Sequence, residues 1–251
     1  MKTLKQLTIY ALSLLILSGC MNDEEDFDRY WIDIATVENP ENSTKFFLRT
    51  DDNTLLWTET SVFSAYKPAN GQRVIANYSL LSDKRATGLY DYDIQLNDVY
   101  EVLTKGIFAV TPATQDSIGN DSIYVEDKDI WIGSKYLNVE FLYQGYSKTH
   151  FINLVSDTSK TYNDDKIHLE FRHNANNDLA VNNRWGIVSF DLSSLENNLA
   201  DSVNLVIHVN LPNKAADTTF ERTYHYNAAP AGVKKKNLRS SFLQENNSGL
   251  Q

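Results

Sequence analysis

Apolar side chains recur at every second position along most of this chain, and that period limits the fold more than any other feature. In the run 136–142, Leu137, Val139 and Phe141 share one face while Asn138 and Glu140 share the other. In 166–172, Ile167, Leu169 and Phe171 point one way, and His168, Glu170 and Arg172 the other. A period of two is the signature of a β-strand with one buried face. Segments 202–210 and 222–226 follow the same rule. Beyond the first twenty residues no long stretch carries a 3.6-residue period. Clusters of Asn, Asp, Gly and Pro at 51–53, 67–71, 174–178 and 211–213 separate the runs as turns. The one good helix start is Ser193 with Glu196 three residues on, a capping-box pattern for a short turn. The aromatics, 14 Tyr, 11 Phe and 4 Trp, are interleaved with Val, Ile and Thr, which favours strands. The chain is read as all-β.

A boundary is expected near 111–121. Before it lie strand candidates at 30–37, 45–59 with a turn inside, 72–81, 90–96 and 99–104. About five short strands within residues 30–110 suggest a small OB-like barrel. After the boundary, strands recur over 122–230 as in a β-sandwich. Residues 231–251, rich in Lys, Asn and Ser, are expected to be mobile or docked only through Leu238 and Phe242.

The N-terminus carries its own signal. Lys2 and Lys5 precede an apolar run over 7–17 that is too short to span a bilayer and matches a cleaved leader. It ends in Leu17-Ser18-Gly19-Cys20, the pattern of a bacterial lipoprotein cleavage site. Residues 1–19 are then the signal peptide, and Cys20 is the lipidated N-terminus. Several acyl chains on one cysteine give a lasting membrane anchor where a single chain does not. The competing reading is a plain secretory signal with an incidental cysteine. Residues 20–29 form an acidic tether, with Asp23, Glu24, Glu25 and Asp26 directly behind the cysteine. This cluster resembles the tag that exports Bacteroidetes lipoproteins to the outer face of the outer membrane. A solvated spacer, with the protein on the periplasmic face, is the blander alternative.

Charge and cysteine count exclude several functions. The net charge is −10. Lys2 and Lys5 leave with the leader, so 33 acidic residues then face 21 basic ones, a net −12. Such a surface repels phosphate backbones, so nucleic acid is not an expected partner. Cys20 is the only cysteine. Once acylated, it leaves no thiol for disulfides, metal sites or catalysis, and the fold must rest on burial.

Four segments, Val99 to Lys105, Tyr136 to Val139, Leu169 to Ala175 and Val188 to Leu192, resemble the NigD-like lipoproteins of Bacteroidales. The resemblance covers nearly the whole mature chain. It implies a lipobox, an N-terminal OB-like domain and a C-terminal β-sandwich. The family name comes from a bacteriocin gene cluster, which hints at immunity. The resemblance brings no settled activity and no site residues.

Motifs for chemistry are few. Ser64-Ala65-Tyr66-Lys67 fits the Ser-x-x-Lys pattern, but Pro68 follows at once and the partner Ser-Asp-Asn and Lys-Thr-Gly elements are missing. A loop between strands explains it better. His168, Glu170 and His173, with Asp164 and Asp165 nearby, invite a metal reading. His173 falls on the opposite strand parity, so a solvated strand face running into an Asn-rich turn is preferred. Asn174 and Asp178 are expected to shape that turn. Trp31, Trp57, Trp131 and Trp185 suggest a sugar-stacking platform, although most aromatics in a small β domain fill its core. Four Asp-(Ser/Thr)-x tripeptides resemble Bacteroidetes O-glycosylation acceptors, at Ser117, Ser122, Ser202 and Thr218. The resulting expectation is a lipid-anchored outer-membrane protein that binds a protein or glycan. No catalysis, metal or cofactor is expected, and a bacteriocin-immunity role is the alternative.

Overall fold

The computed structural model describes residues 30–38, 45–63, 65–197 and 199–226. Strands β1 (Tyr30–Glu38), β2 (Phe47–Thr50), β3 (Leu55–Ser61), β4 (Arg73–Leu80) and β5 (Tyr92–Glu101) close into a barrel in the order β1-β2-β3-β5-β4. β4 pairs antiparallel with β1, and β3 with β5 in parallel. Alternation explains the packing. Val74, Ala76 and Tyr78 of β4 point into the barrel core with Leu48, Leu56, Ile94 and Leu96. Arg73 and Ile75, on the opposite parity, are also buried, because the second domain covers that side.

The second domain contains β6 (Leu103–Val110), the one-turn helix α1 (Gln115–Ile118), β7 (Ile130–Gly133), β8 (Tyr136–Gly145), β9 (Phe151–Asp157), β10 (Ile167–Asn174), β11 (Asn182–Asp191), β12 (Ser202–Val209) and β13 (Thr218–His225). The strand order is β13-β12-β10-β9-β6-β11-β8-β7. β6 is the corner. Its first half pairs with β11 from Leu103 to Gly106, and its second half with β9 from Ile107 to Val110. The sheet folds over there, so that Val139, Phe141, Val188 and Phe190 pack against Leu154, Leu169, Phe171 and Ile207 in one core. Fully burying an aliphatic or aromatic side chain of this kind stabilises by about 1.5–3 kcal/mol. At the far edges, Arg222 of β13 donates to the Ile130 carbonyl at the start of β7.

Three expectations differ from this picture. Residues 99–104 are not one strand. The Val102 amide bonds Arg73 of β4 and its side chain packs on Trp185 and Ile187. Leu103 then opens β6 in the second domain rather than closing the barrel. Nor do residues 111–121 link the domains. Ile118 of α1 is buried against Val110 and Val155, on the second domain itself. Lastly, Ser193–Leu195 is a 3-10 turn without a side-chain cap; Glu196 instead accepts a hydrogen bond from the Tyr224 hydroxyl. The local capping pattern lost its glutamate to a tertiary partner.

The join between domains is polar at its centre and apolar around it. Arg73 is fully buried, with Nη1 2.8 Å from Asp51 Oδ1 and Nη2 donating to Asn138 Oδ1 at 3.0 Å. Its guanidinium lies 4.5 Å from the centre of the Tyr136 ring. Asp51 also accepts from Asn138 Nδ2 and Trp131 Nε1. Ile34, Ile75, Val102, Trp185 and Ile187 surround the pair. A buried charge tolerates this position only when paired and fully hydrogen-bonded.

Candidate functional site

The ends of β8 and β10 and the start of β11 meet at one end of the sandwich and leave a cavity of about 620 Å³. That is within the size range of small-molecule sites. Ile123, Leu142, Ala175, Ala180 and Pro212 give it apolar walls. Asp121, Ser122, Gln144, Asn183, Tyr124 and Tyr143 add polar and aromatic groups, and His173 and Asp178 line one side.

His173 sits at an odd position of β10, the parity of Leu169 and Phe171, so it points inward and is 2 % exposed. His150 precedes β9 and is equally buried. His150 Nδ1 lies 2.8 Å from His173 Nε2, and His150 Nε2 lies 3.2 Å from Asp178 Oδ2. The other end of the row, His173 Nδ1, donates to the Ser122 carbonyl at 3.3 Å. The Tyr143 ring packs on His150, with centroids 4.8 Å apart. Asp178 also accepts from the amides of Tyr146 and Ser147. Its loop is fixed by Asn176 and Asn177, both with φ near +54°, a conformation asparagine tolerates better than most residues. Lys148 Nζ clamps the carbonyls of both asparagines. Gly145 leaves room beside them. A Cβ there would stand 3.0 Å from His150 Nε2 and 3.2 Å from Asp178 Oδ2.

Burial and the neighbouring His150 push His173 down to about 4. Asp178 is held well below the ordinary carboxylate range: burial opposes this, but the Tyr146 and Ser147 amides and His150 outweigh it. The row runs from carboxylate through two imidazoles to a backbone carbonyl. Making all three bonds at once takes three N–H protons on two rings. Every ring nitrogen is then occupied, and none is left to take a proton from a bound molecule.

Two family domains match the sequence. The NigD-like N-terminal OB domain covers residues 34–102, and the NigD-like C-terminal beta sandwich domain covers 106–222. The chain belongs to the NigD-like family. A protein of Parabacteroides distasonis ATCC 8503 described as toxin-related is 30 % identical, with a TM-score of 0.68 over 79 % of this chain and 95 % of its own. A NigD-like immunity protein of Bacteroides caccae ATCC 43185 is 18 % identical (TM-score 0.59, 78 % of this chain, 96 % of that one). A protein of Bacteroides fragilis NCTC 9343 described as a lipoprotein is 11 % identical (TM-score 0.53, 80 % and 100 %). Among curated proteins, none matches the sequence.

In this NigD-like chain the segments of the resemblance supply mostly core, although His173 and Ala175 of the third line the cavity. Val188, Phe190 and Leu192 are core, as are Leu137, Val139, Leu169 and Phe171. The metal-like set does not assemble. His168 and His173 lie on opposite faces of β10, and among the described residues no group of three or more His, Cys, Asp or Glu is placed to hold a metal ion. The face carrying His168, Glu170 and Arg172 is not solvated as expected. Glu170 and Arg172 form a buried ion pair, with Arg172 also donating to Gln115 of α1 at 2.9 Å. The four tryptophans are dispersed: Trp31 packs on the barrel core, Trp131 and Trp185 at the domain join, and Trp57 against Phe47 with centroids 4.6 Å apart. Ser117 and Ser122 are exposed, whereas Ser202 and Thr218 are half-buried at the first positions of β12 and β13. Cys20, Asp23, Glu24, Glu25, Asp26, Ser64 and residues 231–251 lie outside the described residues. Sequence reasoning missed His150 and the role of Asp178 beyond its turn. The odd parity of His173 in a strand with odd core positions was the available signal.

Proposed function

We propose that this chain is a lipid-anchored protein of the outer membrane, facing the cell surface, that binds a protein or glycan ligand in the cavity and does not transform it. The observation that carries the binding reading is the cavity itself. Its titratable row ends on a backbone carbonyl, so the histidines rigidify the wall instead of serving a reacting group. The anchor reading is supported by the Leu17-to-Cys20 pattern, the acidic cluster behind it and the lipoprotein description of the Bacteroides fragilis relative. The test of the anchor is fractionation with Cys20→Ala. Wild type should partition with outer membrane and the variant with the aqueous phase; identical partitioning refutes the anchor. An intact mass on the same material checks lipid at Cys20 and a glycan on Ser117 or Ser122. Binding is tested by titrating the labelled chain with envelope extract and following amide resonances. Shifts that avoid the residues lining the cavity would place the ligand elsewhere.

The Bacteroides caccae relative is described as an immunity protein, which favours a second reading, sequestration of a bacteriocin at the surface. Deleting the gene and challenging the strain with bacteriocins of related strains decides it, and unchanged sensitivity removes the idea.

A further inference from the structure

We infer that the cavity takes a neutral, hydroxyl-rich ring, such as one hexose unit of a glycan chain. This rests on the cavity being the binding site. Among the described residues the lining contains no lysine or arginine and two carboxylates, Asp121 and Asp178, within a chain of net charge −10. Burial pushes His173, which also lines the space, down to about 4. An anionic ligand would lose its hydration against this field with nothing to compensate it.

A cation fits no better. Both Asp178 oxygens are taken by the Ser147 amide, and Oδ2 also by Tyr146 and His150. Asp121 commits Oδ2 to the Ala175 amide at 2.8 Å. Besides Asp121 Oδ1, what remains is a set of neutral donors and acceptors. Gln144 of β8 stands opposite Asn183 of β11. Gln144 Nε2 donates to Asn183 Oδ1 at 3.3 Å, which leaves the Gln144 carbonyl oxygen as an acceptor and the Asn183 amide as a donor. Sugar hydroxyls both donate and accept, so one ring serves both.

Tyr124 supplies the apolar half of such a site. The residue is 44 % exposed but not loose. The backbone exchanges two hydrogen bonds with Leu142, at 3.0 and 2.9 Å, and the hydroxyl donates to Glu126 at 2.7 Å. A fixed aromatic ring with an open face suits the C–H side of a pyranose, and its pre-set position lowers the ordering cost of binding.

The test is calorimetric titration of the purified full chain with neutral manno-, galacto- and gluco-oligosaccharides, with oligogalacturonate as the anionic counterpart and chitosan oligomers as the cationic one. At least one neutral oligomer should bind at least tenfold tighter than either charged one. Its affinity should fall at least tenfold in Tyr124→Ala and Asn183→Ala, with unchanged denaturant midpoints reporting on folding, and stay within twofold in Leu89→Ala, an exposed barrel-domain position outside the lining. Tighter binding of a charged oligomer, lost in the same variants, overturns the ligand class but keeps the cavity as the site. No binding by any neutral oligomer also overturns the class. A neutral oligomer whose affinity is untouched by Tyr124→Ala, Asn183→Ala and the filling variant Ala180→Trp instead refutes the cavity as the binding site.

Discussion

Replacing His173 by Asn should flatten the acid limb of the stability profile, and the sign can be worked out in advance. His173 has an ordinary value of 6.5 and a folded value of about 4, lowered first by burial and then by His150. A group depressed in the folded state contributes stability above its unfolded value and loses it as pH falls towards the folded one. The unfolded chain binds a proton near pH 6.5, whereas the native chain resists until about pH 4. At about 1.4 kcal/mol per pH unit, that gap amounts to about 3 kcal/mol. Asp178 does not mask the effect, because its folded value lies below the ordinary carboxylate range and its contribution is lost only at still lower pH. His208 is also depressed, by burial and by His168, and adds a loss of the same sign. The comparison with the variant isolates His173: Asn can still donate to Ser122 but cannot titrate. Urea unfolding at pH steps from 7 to 4 should show wild type losing about 3 kcal/mol more than His173→Asn. Parallel profiles would refute the reasoning, as would a direct resonance titration placing the His173 midpoint near 6.5.

Arg73→Ala should destabilise by about 3–5 kcal/mol, because it strands Asp51 in the domain join, while the double variant Arg73→Met, Asp51→Leu should lose less than the single one in denaturant titration. Gly133→Ala should be destabilising by about 1–3 kcal/mol, since its Cβ would fall 2.1 Å from Asp51 Cγ; a neutral midpoint would mean that the pair is easily displaced. Phe171→Ala, at the centre of the sandwich core, should lower stability by about 3–5 kcal/mol without moving the chemical shifts of barrel residues such as Leu96.

Much of the architecture was legible because alternation is a local signal that burial enforces. The β8 and β10 patterns read from Leu137 to Phe141 and from Ile167 to Arg172 place Val139, Phe141, Leu169 and Phe171 in one core. What alternation does not reveal is the second face of a strand. Glu170 and Arg172 read as solvent-facing, yet both are buried, because α1 covers that side. That cover includes Gln115, 57 positions from Arg172, and no local pattern encodes it. The domain boundary failed for the same reason. Val102 is the last residue before β6, and only its distant partners on β11, Val188 to Asp191, assign the next strand to the second domain. The cavity was invisible because it is made by strand ends whose meeting depends on the fold at the β6 corner.

The five histidines show how a chain with a single cysteine fixes its loops. Four form two rows with the same atom order. In one, Asp178 faces His150 Nε2, and His150 Nδ1 meets His173 Nε2. In the other, Asp164 faces His168 Nε2, and His168 Nδ1 meets His208 Nε2 at 2.8 Å. Each row ties a loop carboxylate to two neighbouring strand segments, at β9 and β10 in the first case and at β10 and β12 in the second. Tyr162, from the second loop, also stacks on His168 with ring centroids 3.5 Å apart. A disulfide would tie the same loops regardless of acidity, whereas these rows depend on their protons. When His173 or His208 takes up a second proton, the row gains a positive charge that burial penalises. The two loops should therefore open before the sheets do. Amide exchange between pH 6.5 and 4 should rise first at 158–166 and 175–181 while β8 and β11 stay protected. Simultaneous loss of protection across the sandwich would mean that the rows and the core fail as one unit.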